Sequence, residues 1–136
     1  MNILYPMAFM MFYIFALGVL NFRIRSHAVK NKGLSVKYFR IYQASGDVPE
    51  KVIRFGRHLD NQFQLPSFFF ITCLTCLVLN YQSSFFVLSA WAFVAARLIH
   101  SYFHLGSNHI PYRALAYLVG WVILLVMWFS LLLHSF

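Results

Sequence analysis

The chain alternates long apolar stretches with shorter polar segments. A hydrocarbon core of about 30 Å requires about 20 helical residues, and four apolar stretches reach that length. They lie at about residues 3–22, 52–79, 85–105 and 112–133. Pro6 falls in the opening turn of the first stretch, where a missing backbone N–H costs little. The pattern predicts an all-α membrane protein, a single domain over residues 1–136 that crosses the bilayer four times.

The longest polar segment, residues 23–51, separates the first two stretches. The region 23–57 carries nine of the eleven lysine and arginine residues, with turn-like sequences at 31–33 and 45–47. By the positive-inside rule, this segment is a cytoplasmic loop and both termini lie outside the cytoplasm. A bacterial inner membrane is the simplest location, although composition alone would also allow the endoplasmic reticulum.

Two further polar breaks separate the remaining stretches. Residues 61–96 carry no formal charge, a length too great for one span, and the polar cluster 80–84 interrupts them. This cluster predicts a tight external turn. The chain then returns to the cytoplasm near 106–108, and Pro111 suits the first turn of the fourth helix.

Composition supports a membrane protein over a soluble one. Hydrophobic residues make up 61% of the chain, aromatic residues 20%, and only three side chains are acidic. A net charge of +8 could suit nucleic acid, but the cations cluster between apolar stretches, so we expect no nucleic-acid partner. Cys73 and Cys76 have CxxC spacing within an apolar helix, where no cationic neighbour lowers the thiol pKa, and we interpret them as structural thiols.

Ionisable and polar side chains occur at helical spacing inside three of the spans. Such residues usually face the bundle interior, because exposure to lipid costs energy. The stripes are Arg57, Asp60, Asn61 and Gln64 on helix two; Arg97, His100 and His104 on helix three; and Arg113 and Tyr117 on helix four. The topology places all three stripes at the same depth. They predict a cationic pocket in the cytoplasmic half of the membrane, suited to an anionic ligand.

Simpler interpretations exist for several of these residues. Arg57 and Arg113 lie near the interface and would also be explained by snorkelling toward lipid phosphates. For His100 and His104, hydrogen bonding between helices is an explanation of equal standing with ligand contact. We expect Asp60 to pair with an arginine.

A metal site is not expected from the sequence. Histidines at positions 100, 104 and 109 are close in sequence, but no nearby Cys, Glu or second His pair completes a ligand set.

The order of these residues resembles the MAPEG family, the membrane-associated proteins in eicosanoid and glutathione metabolism. The resemblance covers nearly the whole chain and is closest to small bacterial members. It rests on the motifs Arg57-x-x-x-Asn61-x-x-Gln64-Leu65-Pro66, Arg97-Leu98-Ile99-His100-Ser101-Tyr102-Phe103-His104 and Pro111-Tyr112-Arg113. It implies a left-handed four-helix bundle, a homotrimer, and glutathione bound between neighbouring subunits near the cytoplasmic side.

The resemblance also implies roles for individual residues. Arg113 matches the arginine beside the glutathione sulfur and would be catalytic. The implied glutathione contacts are Arg57, Asn61, Gln64, Arg97, His100, His104 and Tyr117. The family has Glu at the position of Gln64, so a ligand to the tripeptide is altered here. Either Arg23 or Arg25 corresponds to the arginine that the first helix contributes.

The expected function is a membrane-bound, glutathione-dependent transferase or peroxidase that acts on lipophilic electrophiles. An arginine-stabilised thiolate would be the attacking species. The alternative is a non-enzymatic membrane protein of the same fold that binds a lipid or partner, which the change from Glu to Gln favours. A transporter or channel subunit would need a charged ring or a broken helix along a path, and the sequence suggests neither. The substrate is not determined by the sequence.

Overall fold

Every regular secondary-structure element in the described part of the chain is an α-helix. The computed structural model describes residues 2–41 and 48–135, so the turn predicted at 45–47 lies outside the described residues. The helices are α1 (Leu4–Asn31), α2 (Tyr38–Ile41), α3 (Glu50–Gln62), α4 (Leu65–Val78), α5 (Ser84–Leu105) and α6 (Ile110–Ser135). Helices α3 and α4 together form one span, and α1, α5 and α6 form three more. The predicted all-α, four-span membrane architecture is confirmed.

Helix α1 is longer than the sequence pattern predicted. The prediction ended it near residue 22 and assigned the following residues to a loop, whereas the helix continues to Asn31. Basic side chains are good helix formers, and the chain holds no glycine here until Gly33, which adopts a left-handed φ of 66°. The 28 residues span about 42 Å, so the last turns of α1 extend beyond the hydrocarbon core.

The second span is broken, although the sequence was interpreted as one continuous helix from 52 to 79. Helix α3 ends at Gln62, and α4 begins at Leu65. Pro66 is the physical cause, because its ring lacks an N–H and clashes with the carbonyl four residues earlier. The Ser67 hydroxyl donates to the Phe63 carbonyl at 2.7 Å and satisfies one of the freed acceptors.

The core lies between α4, α5 and α6, with α1 against its side. Helices α5 and α6 pack most extensively, and α1 packs chiefly on α3. The rings of Phe69 and Phe93 stack at 4.5 Å between centroids, and Met10 and Met127 are fully buried beside them. Large apolar side chains also cover the outside, for example Phe12 and Leu133. An exposed apolar surface of this kind is what lipid contact requires.

One end of the bundle is closed by the turn between α4 and α5. Asn80 takes a left-handed φ of 54°, as the predicted turn requires. Gln82 accepts a hydrogen bond from the Ile3 backbone N–H at 3.1 Å, which ties the start of α1 to this turn. Cys73 and Cys76 are buried free thiols, and Cys76 contacts the backbone of the turn. We call this the turn end, and the other, where α3 begins and α5 ends, the basic end.

Candidate functional site

A cavity of about 360 Å³ opens at the basic end, between α3 and the connection from α5 to α6. Its polar lining is Glu50, Arg54, Arg57, Asp60 and Asn61 from α3, with His104, Asn108 and Arg113 opposite. The α3 residues recur at three- and four-residue spacing, so one helical face supplies a whole wall. The structure therefore brings together four of the predicted site residues, Arg57, Asn61, His104 and Arg113.

Arg113 is held by the loop that precedes its helix. Its Nη1 donates to the Asn108 side-chain oxygen at 3.0 Å. Asn108 adopts a left-handed φ of 52°, a conformation that asparagine tolerates better than most residues. The turn thus carries the amide into position, and the guanidinium is half-buried at the wall of the cavity.

Arg54 connects the opposite wall to the same loop. Its guanidinium donates to the carbonyls of Leu105 and Gly106, at 3.4 and 3.2 Å, where α5 ends. It also pairs with Glu50 one turn earlier on α3. A cation at a helix C-terminus satisfies carbonyls that lack intrahelical partners. Arg54 therefore fixes the spacing between α3 and α5 at the cavity.

Asp60 does not form the ion pair that the sequence suggested. Among residues 2–41 and 48–135, the structure contains no ion pair for this carboxylate. Asp60 is exposed and borders the cavity, where water can solvate it. Because water already solvates an exposed carboxylate, Asp60 gains little from pairing with an arginine.

A second cavity of about 380 Å³ lies on the other side of Arg57 and Asp60. Arg25 lines this cavity, and its guanidinium lies over the ring of Phe39 at 5.4 Å. Gly56 faces Arg25 so closely that an added Cβ would be 3.3 Å from a guanidinium nitrogen. Arg23 is exposed and lines neither cavity. Of the two helix-one arginines that the sequence left open, the structure places Arg25 beside Arg57.

Arg97 lies elsewhere, contrary to the predicted pocket shared by three arginines. It is fully buried, and its guanidinium carbon lies 5.6 Å from the centroid of the Tyr117 ring. Tyr13 of α1 is close by. Arg97 does not line the cavity. The residue sits two helical turns before His104 on α5, which is deeper in the bundle than the basic end. None of its three guanidinium nitrogens has a hydrogen-bond partner among the described residues.

The predicted histidines belong to a buried cluster that includes a third member, His58. Ring centroids are 5.8 Å apart for His58 and His100, 4.9 Å for His58 and His104, and 5.6 Å for His100 and His104. His100 Nδ1 is 3.0 Å from the backbone oxygen of Arg113. Hydrogen bonding between helices, one of the two interpretations of His100, is therefore observed. His104 alone of the three also lines the cavity.

Besides Arg97 and His100, two further predicted ligand residues lie outside the cavity. Gln64 is exposed at the junction of α3 and α4, because the break turns it away from the stripe formed by Arg57 and Asn61. Tyr117 lies deeper in the bundle, with its ring 5.6 Å from that of His100. Their roles as glutathione contacts stay predictions.

Sequence reasoning missed three residues at this end of the molecule. Arg54 lies on the same helical face as Arg57 and could have been found by extending the stripe one turn earlier. Asn108 carried no signal beyond its place in a turn. His58 is adjacent to Arg57 and points to another face of α3, so only the packing of α3 on α5 reveals its two histidine neighbours.

Comparison with family models gives one result that covers nearly all of the chain. The MAPEG family model matches residues 3–133. A comparison with the curated proteins gives no match. The family match includes all four spans and every residue of the cavity.

Proposed function

Since the chain belongs to the MAPEG family, a family of membrane proteins associated with glutathione, we propose that it is a glutathione-dependent transferase or peroxidase. Its substrates would be lipophilic electrophiles. The observation that carries this proposal is the cationic cavity in which Arg54, Arg57 and Arg113 meet.

The cavity matches the charges of glutathione. The tripeptide has two carboxylates, which guanidinium groups bind with paired, charge-assisted hydrogen bonds. Arg57 is available for this on α3, Arg54 adds positive charge to the same wall, and Asn61 offers an amide to the peptide groups. Asp60 has no partner among the described residues and could receive the ligand's ammonium group. A volume of about 360 Å³ falls in the ordinary range for small-molecule sites.

Arg113 is the proposed catalytic residue. A free thiol with a pKa of about 8.5 is mostly protonated at neutral pH. A guanidinium beside the sulfur stabilises the thiolate, which is the nucleophile. The hydrogen bond from Arg113 to Asn108 keeps the guanidinium at the cavity wall before the ligand binds.

A lipophilic substrate would approach from the bilayer side of α5 and α6. An apolar groove of about 380 Å³ runs between α5 and α6 and includes Ala96, Phe103 and Tyr112. Tyr112 directly precedes Arg113 in the sequence, so one end of the groove lies at the depth of the cavity, although the two share no lining residue. The small alanine side chains on α5 are also typical of surfaces where membrane helices from neighbouring subunits pack. We propose the homotrimer that the family resemblance implies, with the basic end in the cytoplasm of a bacterial cell.

The test is the ultraviolet absorbance of bound glutathione thiolate in detergent-purified protein. We expect a thiolate band for the wild type at neutral pH and its loss in Arg113→Ala, because the stabilising charge is removed. Arg40→Ala, which removes an exposed arginine that lines neither cavity, is the matched control and should keep the band. Equal thiolate in the wild type and Arg113→Ala would exclude the assigned role.

The second candidate is a non-enzymatic protein that binds a lipid or partner. It is favoured by Gln64, which replaces the glutamate of the family motif and lies outside the cavity. Titration with glutathione in the presence of an aryl halide separates the two functions. Saturable binding with turnover supports the enzyme, and saturable binding without turnover supports the binding protein.

A further inference from the structure

Three histidines from two helices converge beneath the cavity. His58 of α3 and His100 and His104 of α5 are 1%, 3% and 5% exposed. One ring nitrogen from each lies within 4.8 Å of the other two. Buried imidazoles normally satisfy both ring nitrogens with hydrogen bonds, so a buried ring nitrogen without such a bond requires another partner.

The hydrogen bond made by His100 fixes which of its nitrogens is free. Nδ1 lies 3.0 Å from the Arg113 carbonyl, which can only accept, so Nδ1 carries the proton. In the neutral ring, the lone pair is then on Nε2. That atom is buried and has no hydrogen-bond partner among the described residues. A histidine that donates one N–H to a backbone carbonyl and leaves the other nitrogen bare is the usual arrangement of a metal ligand.

His58 has an equivalent arrangement. Its Nε2 lies 3.1 Å from the Gln62 side-chain amide, and both the amide oxygen and His58 Nδ1 lack partners in the described chain. Oxygen and nitrogen of an amide are interchangeable by a rotation of the group. With the oxygen toward the ring, Nε2 donates to Gln62 and the lone pair lies on Nδ1. His104 Nδ1 is likewise buried without a partner in the described residues.

We propose that His58, His100 and His104 form a three-histidine site for a divalent transition metal, with Zn²⁺ the first candidate. Imidazole nitrogen is a preferred ligand of this class of ion. Ligand nitrogens within 4.8 Å of one another must approach by up to about 1.5 Å to reach the spacing of a tetrahedral zinc site. Small rotations of the three rings supply that movement.

The surroundings determine the fourth ligand. His104 also lines the cavity, so the remaining coordination position opens toward it. Arg97 and Arg113 interact electrostatically with the histidines, and this positive charge opposes a bare cation. The fourth ligand is therefore an anion such as hydroxide, chloride or a thiolate. Three protein ligands with one open position are typical of reactive metal sites, whereas purely structural sites are closed.

The proposal does not depend on glutathione chemistry, and it is tested without glutathione. The protein would be purified in detergent through a tag that contains no histidine, stripped with a chelator, and titrated with Co²⁺. We expect one Co²⁺ per chain, with the intense visible bands of a four-coordinate ion, and displacement by Zn²⁺. Absence of uptake by the wild type, or only the weak bands of six-coordinate Co²⁺, would overturn the proposal. This test uses the wild-type protein alone.

Variants then identify the ligands. His58→Gln and His104→Gln should abolish uptake, while His109→Gln, an exposed histidine outside the cluster, should bind as the wild type does. Gln62→Ala leaves all three ligands in place and should weaken binding about tenfold or more, because it removes the partner that orients His58. Wild-type affinity in both His58→Gln and His104→Gln would contradict the assignment.

Discussion

At the scale of single residues, the shape of the cavity depends on hydrogen bonds that orient its side chains. Arg113 is oriented by Asn108, and Arg54 binds the carbonyls at the end of α5. The backbone of Arg113 in turn accepts from His100. These contacts join α3 to the end of α5, α5 to α6, and α6 to the loop before it, so the geometry of the proposed thiolate site is set by a small number of hydrogen bonds.

Asn108 offers a direct measurement of one of these contacts. Asn108→Gly keeps the left-handed backbone conformation but removes the hydrogen bond to Arg113. A hydrogen bond to a charged group is worth about 1.5 kcal/mol or more. We therefore expect roughly tenfold less thiolate on bound glutathione at neutral pH, read from its absorbance. Ser107→Gly, at the neighbouring exposed position, leaves the contact in place and should stay close to the wild type; if both variants behave alike, the contact has no role.

At the scale of helices, the break between α3 and α4 separates a polar segment from an apolar one. Pro66 ends the run of cavity residues and starts a helix that packs into the core. Helix α4 approaches α6 at Gly120, where an added Cβ would lie 3.1 Å from Leu65 and 3.7 Å from Phe93. The absence of a side chain at Gly120 permits the close contact of α4, α5 and α6.

Gly120→Val should therefore destabilise the bundle by about 1–3 kcal/mol, the usual cost of overpacking a core. Gly18→Val is the matched control, because nothing lies within 4 Å of a Cβ added at that glycine of α1. Thermal unfolding in detergent, followed by circular dichroism, should show a lower transition temperature for Gly120→Val only. The same decrease in both variants would mean that valine in a helix, rather than the contact, is responsible.

The sequence predicted the helices better than their interruption. Apolar length alone identifies a span, but it does not report a local break, and Pro66 was the available signal for that break. Periodicity also grouped Arg57 with Asn61, and both residues line the cavity. It failed for Arg97 and His58, because the position of a residue on its own helix does not determine which neighbouring helix covers it.

At the scale of the whole molecule, charge and shape are both asymmetric. The basic end holds the cationic cavity, whereas the described residues of the turn end are polar or apolar and include no lysine or arginine. In a membrane, such an excess of lysine and arginine determines which side remains in the cytoplasm. The proposed orientation follows from this asymmetry.

Single added cysteines test the orientation in intact cells. Ser107→Cys lies at the basic end and Ser84→Cys at the turn end, and both serines are exposed. A membrane-impermeant maleimide should label Ser84→Cys only, and Ser107→Cys should react after the cells are opened. The wild type is the background control, since Cys73 and Cys76 are buried. The reverse pattern would invert the topology and place the cavity outside.

The contacts at the turn end also affect how molecules exchange with the cavity. There, Gln82 binds the start of α1, Tyr81 shares a hydrogen bond with Ser130 at 3.1 Å, and its ring stacks on His134. These contacts join the first, third and last spans and close the bundle at this end, whereas the cavity opens at the other. Reactants and products would then enter and leave through a single leaflet, and the compartment on the far side would stay insulated from the chemistry.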